Sequence, residues 1–385
     1  MNKKRFFIMC TFIMLCTLTI STKVKASKYT DETQYIENTN VLAEQIKYNT
    51  VNRNNSFSIL AKITSDKPVE VDKLNKYADS LVSKAMSENL ADSSSAGDYL
   101  RYSWDEYKKS IKGFYNYENY SYKYYLVVNY EFKYYTTYNQ EQKLNKDVET
   151  FIKRNIRKDD TDLEKITTIY KYISNTVKYK KNIGNIKYSA YSAYENKAAI
   201  CQGYSALLYK MLKEAEVDDV RIVRSSTHSW NIVKIDNMYY HLDSTWEATS
   251  SKKGNYNYFL KGSDAFNRLN KHNVDSEYKT KKFKKEYPIS DEDYMKVKIT
   301  SLKKLHNNTI KIKWKGNIYC DGYKIEYSSN KNFNKYKSVI INSKYITSKT
   351  IKNLKNNKKY YIRISTYKKV NNKKYYFLSS KYKVL

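Results

Sequence analysis

Cys201, His228 and Asp243 are the residues of this chain whose types and spacing could do chemistry together. Cys201 stands in Ala198-Ala199-Ile200-Cys201-Gln202-Gly203-Tyr204. His228 stands in Thr227-His228-Ser229-Trp230-Asn231, and Asp243 in Tyr240-His241-Leu242-Asp243-Ser244-Thr245-Trp246. A thiol beside an imidazole becomes a nucleophile because the ring accepts its proton. A carboxylate on the far side of the ring fixes the tautomer and stabilises the imidazolium that forms. Together the three residue types point to covalent acyl transfer.

The elements that must position them are legible around each one. Leu207, Leu208, Met211 and Leu212 recur at helical spacing behind Cys201, which predicts a helix that starts at Cys201 and runs to Glu214. A helix N-terminus carries partial positive charge and free N–H groups, which favour a thiolate and can hold a developing oxyanion. Gln202 is a further oxyanion candidate, with packing at the helix start as its alternative role. His228 to Ile235 and Met238 to Asp243 read as strands joined by the two-residue turn Asp236-Asn237. Ile235 then faces Met238, and position 228 faces about 245. Asp243 falls diagonally across from His228, about 7–8 Å away by Cα, within reach of a side-chain contact.

Two further histidines compete for roles. His241 shares a strand face with Asp243. It could replace His228 as base, or complete a mixed His/Cys/Asp zinc set. The acyl-transfer reading needs no metal and no organic cofactor. His272 is expected on the surface.

The 385 residues suffice for two or three domains. With 41% hydrophobic and 29% charged residues, a packed core is possible and a wholly disordered chain is excluded. Eight Gly and two Pro exclude collagen-like and proline-rich architectures. Residues 1–26 read as an export signal. Lys3, Lys4 and Arg5 precede an apolar stretch from Phe6 to Ile20, and Val24-Lys25-Ala26 forms a cleavage site. Removing it takes Cys10 and Cys16 and leaves Cys201 and Cys320, so no disulfide framework is expected. No other stretch is long and apolar enough for a membrane span.

Behind the signal, the chain divides into four parts. Residues 27–150 read as an α+β accessory domain, with a strand at Ser58 to Ile63, a helix through Leu74, Tyr77, Leu81 and Ala85, and a long strand from Tyr124 to Tyr135. The Tyr-rich run Tyr115 to Tyr138 is expected to be a half-buried sheet rather than a glycan-contacting face. Residues 151–285 hold the candidate site in an α+β domain, with a helix through Leu163, Ile166, Ile169, Ile173 and Val177 and an extra strand at Tyr256 to Leu260. Residues 286–295 read as a linker. Residues 296–385 carry short alternating segments at Thr309 to Trp314, Gly322 to Tyr327, Tyr360 to Tyr367 and Lys374 to Leu378, which predict a β-sandwich. Cys320 is expected to be a bystander.

The blocks Ile200-Cys201-Gln202-Gly203-Tyr204-Ser205, His228-Ser229-Trp230-Asn231-Ile232-Val233 and Tyr239-Tyr240-His241-Leu242-Asp243-Ser244-Thr245-Trp246 resemble the bacterial transglutaminase-like superfamily, kyphoscoliosis-peptidase branch. The resemblance covers roughly residues 150–270. It implies a papain-like core and a triad of Cys201, His228 and Asp243. Ser229, Glu247 and the Ala199-Ile200 pair depart from the family's common residues, and no triad member is lost. The last 90 residues resemble a fibronectin type III domain. There Leu354 and Tyr360 are spaced like a tyrosine corner, with Trp314 and Gly322 to Tyr327 on the second and third strands.

Charge divides the chain as sharply as pattern does. The formal net charge is +32, from 71 basic and 39 acidic residues. A/T-rich coding would raise Lys and Tyr everywhere, yet residues 296–385 hold 24 basic and 2 acidic residues, a net +22. Setting aside the five bases of 1–26, residues 27–295 carry +5. Outside a cell, such a sandwich is attracted to anionic wall polymers, and nucleic acid is not the expected partner. The sequence reading is a secreted enzyme, associated with the cell wall, that acts on protein or peptide amides by cross-linking, proteolysis or deamidation. Its rival is a non-catalytic wall-binding or adhesion protein that uses the middle domain as a scaffold.

Overall fold

The computed structural model describes residues 4–6 and 31–385, apart from 218, 251–255, 268–271, 307, 356–357, 371–372 and 378. The expected export signal thus lies outside the described residues except for Lys4–Phe6, and so does Leu378.

The accessory region is built on a four-stranded antiparallel sheet in the order β1-β3-β4-β2: Lys4–Phe6 (β1), Ser56–Ser65 (β2), Trp104–Glu118 (β3) and Ser121–Tyr134 (β4). Helices α1 (Thr39–Val51) and α2 (Val71–Ala85) bury Leu42, Ile46, Leu74 and Leu81 against Ile59, Ile111, Leu126 and Val128 of the sheet. The strand β3 was not legible in the sequence, because its only buried residues are Ile111 and Asn116. It is held by pairing along the whole of β4 across a turn at Asn119-Tyr120, both with positive φ, the hairpin geometry that matches strand twist. The Tyr-rich run is a sheet, with Tyr124, Tyr125 and Tyr130 buried and Tyr117 and Tyr120 exposed.

A short helix α3 (Asp98–Arg101) and the long α4 (Tyr138–Asn155) lead into the middle domain. The boundary expected at 150 falls inside α4. Its Leu144 and Val148 pack into the middle domain's core, so the helix belongs to both parts. α4 and α5 (Asp162–Thr176) each begin with a reciprocal capping box, Thr137/Gln140 and Thr161/Glu164. α5 buries Leu163, Ile166, Ile169, Tyr170 and Ile173 on one face, as its spacing predicts.

At the centre lies α7 (Cys201–Glu214), whose residues from Gln202 to Leu212 are all buried. α5, α6 (Ala190–Glu195) and the short parallel pair β5 (Lys178–Tyr179) and β6 (Ala198–Ala199) surround it, and a sheet covers another side. That sheet is antiparallel, in the order β7 (Val220–Ser225), β8 (His228–Ile235), β9 (Met238–Leu242). Asp236 and Asn237 both have positive φ, and Ile235 pairs with Met238, as the sequence required.

The extra strand expected at Tyr256 to Leu260 does not form. The Glu247 carboxylate, on α8 (Ser244–Thr249), accepts the backbone N–H groups of Tyr256 and Tyr258 instead, and Tyr256 and Leu260 have positive φ. A single bridge joins Lys261 to His241. The short helices α9 (Ser263–Phe266) and α10 (Lys281–Glu286) follow.

Residues 286–295 join the middle domain to the sandwich without being loose. Ile289 bridges Tyr239, Tyr294 meets Tyr240 edge-on and its hydroxyl donates to Asp236 at 2.7 Å, and Asp293 pairs with Lys261. The C-terminal sandwich has one sheet in the order β10 (Lys298–Leu305), β11 (Thr309–Lys315), β14 (Ser348–Ile351). The other has the order β13 (Lys337–Ile341), β12 (Gly322–Ser328), β15 (Tyr361–Val370), β16 (Lys373–Tyr376), with β17 (Lys383–Val384) also on β15. Ile310, Ile312, Trp314, Tyr323, Ile325, Ile362 and Ile364 fill the space between them. The Tyr360 hydroxyl accepts the backbone N–H of Lys355 at 3.0 Å, which closes the tyrosine corner. Cys320 is buried and its thiol donates to the Asn317 carbonyl. Among the described residues, no helix is long and apolar enough to cross a membrane.

Candidate active site

Cys201 is the first residue of α7 and is half-buried. Ile200 precedes it without a side-chain cap, so no N-cap side chain takes up the N–H groups of the first turn. Gly203 lets this end of the helix sit deep. A Cβ there would lie 2.7 Å from the Ala199 Cβ and 2.8 Å from the Lys187 carbonyl oxygen. Behind it, the Ser205 hydroxyl meets that of Ser229, and Asn231 Nδ2 donates to the Ser205 carbonyl, which locks α7 onto β8.

β8 delivers His228 and the β9–α8 junction delivers Asp243. His228 Nε2 lies 2.7 Å from Asp243 Oδ2, and the Cys201 thiol is near enough to the same ring to act on its protonation. Burial would lower the imidazole's affinity for a proton. The bonds to Asp243 and Cys201 outweigh that and raise its pKa to about 9. Asp243 is fully buried, and it also caps α8, its Oδ1 accepting the Trp246 N–H at 2.9 Å. Burial pushes its carboxyl up, but the bonds from His228 and His272 prevail and hold it below the ordinary carboxylate value. The structure thus gathers Cys201, His228 and Asp243 at one place.

Gln202 is placed differently. Its Nε2 donates to the Tyr102 carbonyl at 3.0 Å, toward the accessory region. His241 accepts the Trp230 indole N–H on Nδ1 at 3.1 Å, and burial lowers its pKa to about 3, so it is a neutral structural imidazole rather than a base.

The surface position expected for His272 is overturned. It is completely buried, with Nε2 2.8 Å from the same Asp243 Oδ2 that holds His228. Trp230, Trp246 and Phe266 surround its ring. No periodicity marks the segment around it. A usable signal was the scarcity of histidine. The chain has four, and three of them gather here. His228, Asp243 and His272 present atoms within 4.8 Å of one another, a spacing that could also admit a cation. Two ring N–H groups on one carboxylate oxygen already account for that spacing.

A thiol at a helix start, an imidazole and a buried carboxylate lie together on a helix-against-sheet core. Residues 149–244 match the family model described as Transglutaminase-like superfamily, and the middle domain is transglutaminase-like. No curated protein matches the sequence. Solved structures similar to part of this chain include fibronectin type III domains. The FN1-FN3 domains of chicken CNTN1 are 26% identical over 23% of this chain and 28% of theirs, with a TM-score of 0.19. An Fn3-like protein from Clostridium thermocellum is 20% identical over 24% of this chain and 92% of its own, with a TM-score of 0.20.

Proposed function

We propose that this chain is a thiol-dependent acyl-transfer enzyme acting on protein or peptide amides. The observation that supports it is one imidazole, that of His228, held 2.7 Å from Asp243 and close enough to the Cys201 thiol for that group to raise its pKa. His228 takes the thiol proton, and the sulfur attacks the amide carbon. The carbonyl electron pair moves to oxygen, where the N–H groups at the start of α7 can receive it. As the pair returns, the C–N bond breaks and the imidazolium protonates the leaving amine. The thioester then passes its acyl group to an amine or to water, which regenerates the thiol. The triad is common to cross-linking, proteolysis and deamidation. Cys201→Ala should fold and lose both amine incorporation and peptide hydrolysis. Full retention of either in that variant would end the proposal.

The kyphoscoliosis-peptidase branch, export through residues 1–26 and attachment to anionic wall polymers belong to the same proposal. The net +22 of residues 296–385 supports the last. Attraction of that kind is screened as the Debye length falls from about 10 Å at 0.1 M salt to about 3 Å at 1 M. The full chain should therefore bind purified anionic walls at low salt and elute as salt rises. Retention that ignores salt would leave coding bias as the better account of the lysines.

A further inference from the structure

We propose that His272 is a positioning residue of the active site: by donating to the Asp243 oxygen that His228 uses, it limits how tightly Asp243 retains the proton of His228. This rests on the acyl-transfer reading of the same site. An ionised carboxylate only accepts hydrogen bonds, so both contacts to Oδ2, 2.7 Å from His228 and 2.8 Å from His272, are ring N–H donations. One oxygen that serves two donors gives each less than it would give one alone.

The arrangement is built rather than incidental. The His272 ring is fully buried, and its centroid lies 4.1 Å from that of Phe266, 4.4 Å from Trp246 and 4.9 Å from Trp230. It meets His228 edge-on at 5.1 Å. Its Nδ1 has no hydrogen-bond partner among the described residues, so its one strong polar contact there is the one to Asp243. Burying a histidine with half its polar capacity unused has a cost. A merely space-filling residue at this position would more simply be aromatic and apolar.

Asp243 would stay in place without His272. Its Oδ1 is held by the Trp246 N–H, and its carbonyl accepts the Tyr170 hydroxyl at 3.0 Å. What His272 adds is therefore charge sharing on Oδ2. The other titratable groups facing this carboxylate and its two imidazoles are Cys201 from α7, Tyr170 from α5, His241 from β9, Glu247 from α8 and Tyr258 from the loop behind it. None of these reaches Oδ2 among the described residues. In the reaction, an imidazolium held too firmly would be slow to protonate the leaving amine, and the shared oxygen loosens that hold.

The test needs no substrate. The alkylation rate of Cys201 by iodoacetamide is followed against pH by the mass of the Cys201 peptide, and it inflects where the His228 imidazolium gives up its proton. His272→Phe keeps a buried ring and removes the donor. Asp243 then pulls on His228 alone, and the inflection should move up by about one pH unit, the order expected for losing one charge-assisted hydrogen bond shared between two donors. His272→Gln, which can carry an N–H to the Nε2 position, should return the inflection to within about 0.3 unit of the unsubstituted chain. An inflection unmoved or lowered in His272→Phe, or moved equally in Phe and Gln, overturns the proposal. Should His272→Phe not fold, His272→Asn, whose amide is too short to reach Oδ2, takes its place with the same expected shift. Alkylation reads the thiol–imidazole pair and not turnover. Failure of the enzymatic reading would therefore appear as lost acyl transfer with this pH shift intact.

Discussion

The two ends of α7 both carry buried ionisable groups, and they do opposite things with them. At the front, Cys201 is half open beside the His228 ring, and Asp243 holds that ring at 2.7 Å. At the rear, Tyr209 and Lys210 are clamped by the accessory region. The Tyr209 hydroxyl bonds Glu88, and Lys210 Nζ donates to Ser95 at 2.8 Å over the ring of Tyr99. Glu141 is met by Arg53 at 3.0 Å, and Asp98 takes Arg221 in two bonds of 2.8 and 3.1 Å. Burial lowers Lys210 to a pKa of about 8 and raises Glu88 to about 7, shifts as large as many at catalytic centres. The rear cluster nonetheless offers no open nucleophile. A perturbed charge marks a reactive site when a reacting atom beside it reaches solvent, and marks a structural joint when buried ion pairs and hydrogen bonds take up the charge.

This contrast can be broken most severely at the front. Asp243→Asn places an amide N–H against the His228 and His272 donors and loses the tautomer that leaves Nδ1 free for the thiol. Turnover should fall by up to about 10⁴-fold, the loss a serine triad shows when its carboxylate becomes an amide. The thermal midpoint, measured alongside, should change far less than the rate. A variant within tenfold of the parent would show that the front carboxylate is as structural as those at the rear.

At the rear the expected loss is stability. Asp98→Ala leaves the buried Arg221 only its longer contact with Glu88, Nε to Oε1 at 3.6 Å, and strips the Ile222 N–H of its acceptor. Breaking one side of such a pair typically costs about 3–5 kcal/mol, to be read from urea unfolding. The alkylation profile of Cys201 in the folded variant should match that of the parent. A shift in that profile without loss of stability would mean that the accessory region tunes the thiol, through the Gln202–Tyr102 contact at the front of the same helix.

Much of the middle domain was legible because its cues are local. The apolar spacing of 163–177 and 207–212, the Asp236-Asn237 turn and the register it imposes put Cys201 at a helix start and Asp243 diagonally across from His228, where the structure has them. The sandwich was legible for the same reason, strand alternation plus the Leu354–Tyr360 spacing. β3 was not, since only two of its fifteen residues are buried and β4 supplies its order. The strand expected at 256–260 failed because a carboxylate from α8 outcompeted a neighbouring strand for the backbone N–H groups.

The sequence by itself determined the chemistry available, namely one thiol at a helix start, one imidazole and one carboxylate on a hairpin, and a strongly basic tail. These follow from residue type and from spacing within about 45 positions, where helix period and turn geometry leave little freedom. Tertiary structure alone decided which of the remaining polar groups would join them. It drew His272 out of an unpatterned segment onto Asp243, set His241 against Trp230, and turned the Gln202 amide toward Tyr102. The physical reason is that a buried polar atom takes the partner that packing brings within about 3 Å, and that partner can lie 29 or 100 residues away, with no periodicity to announce it.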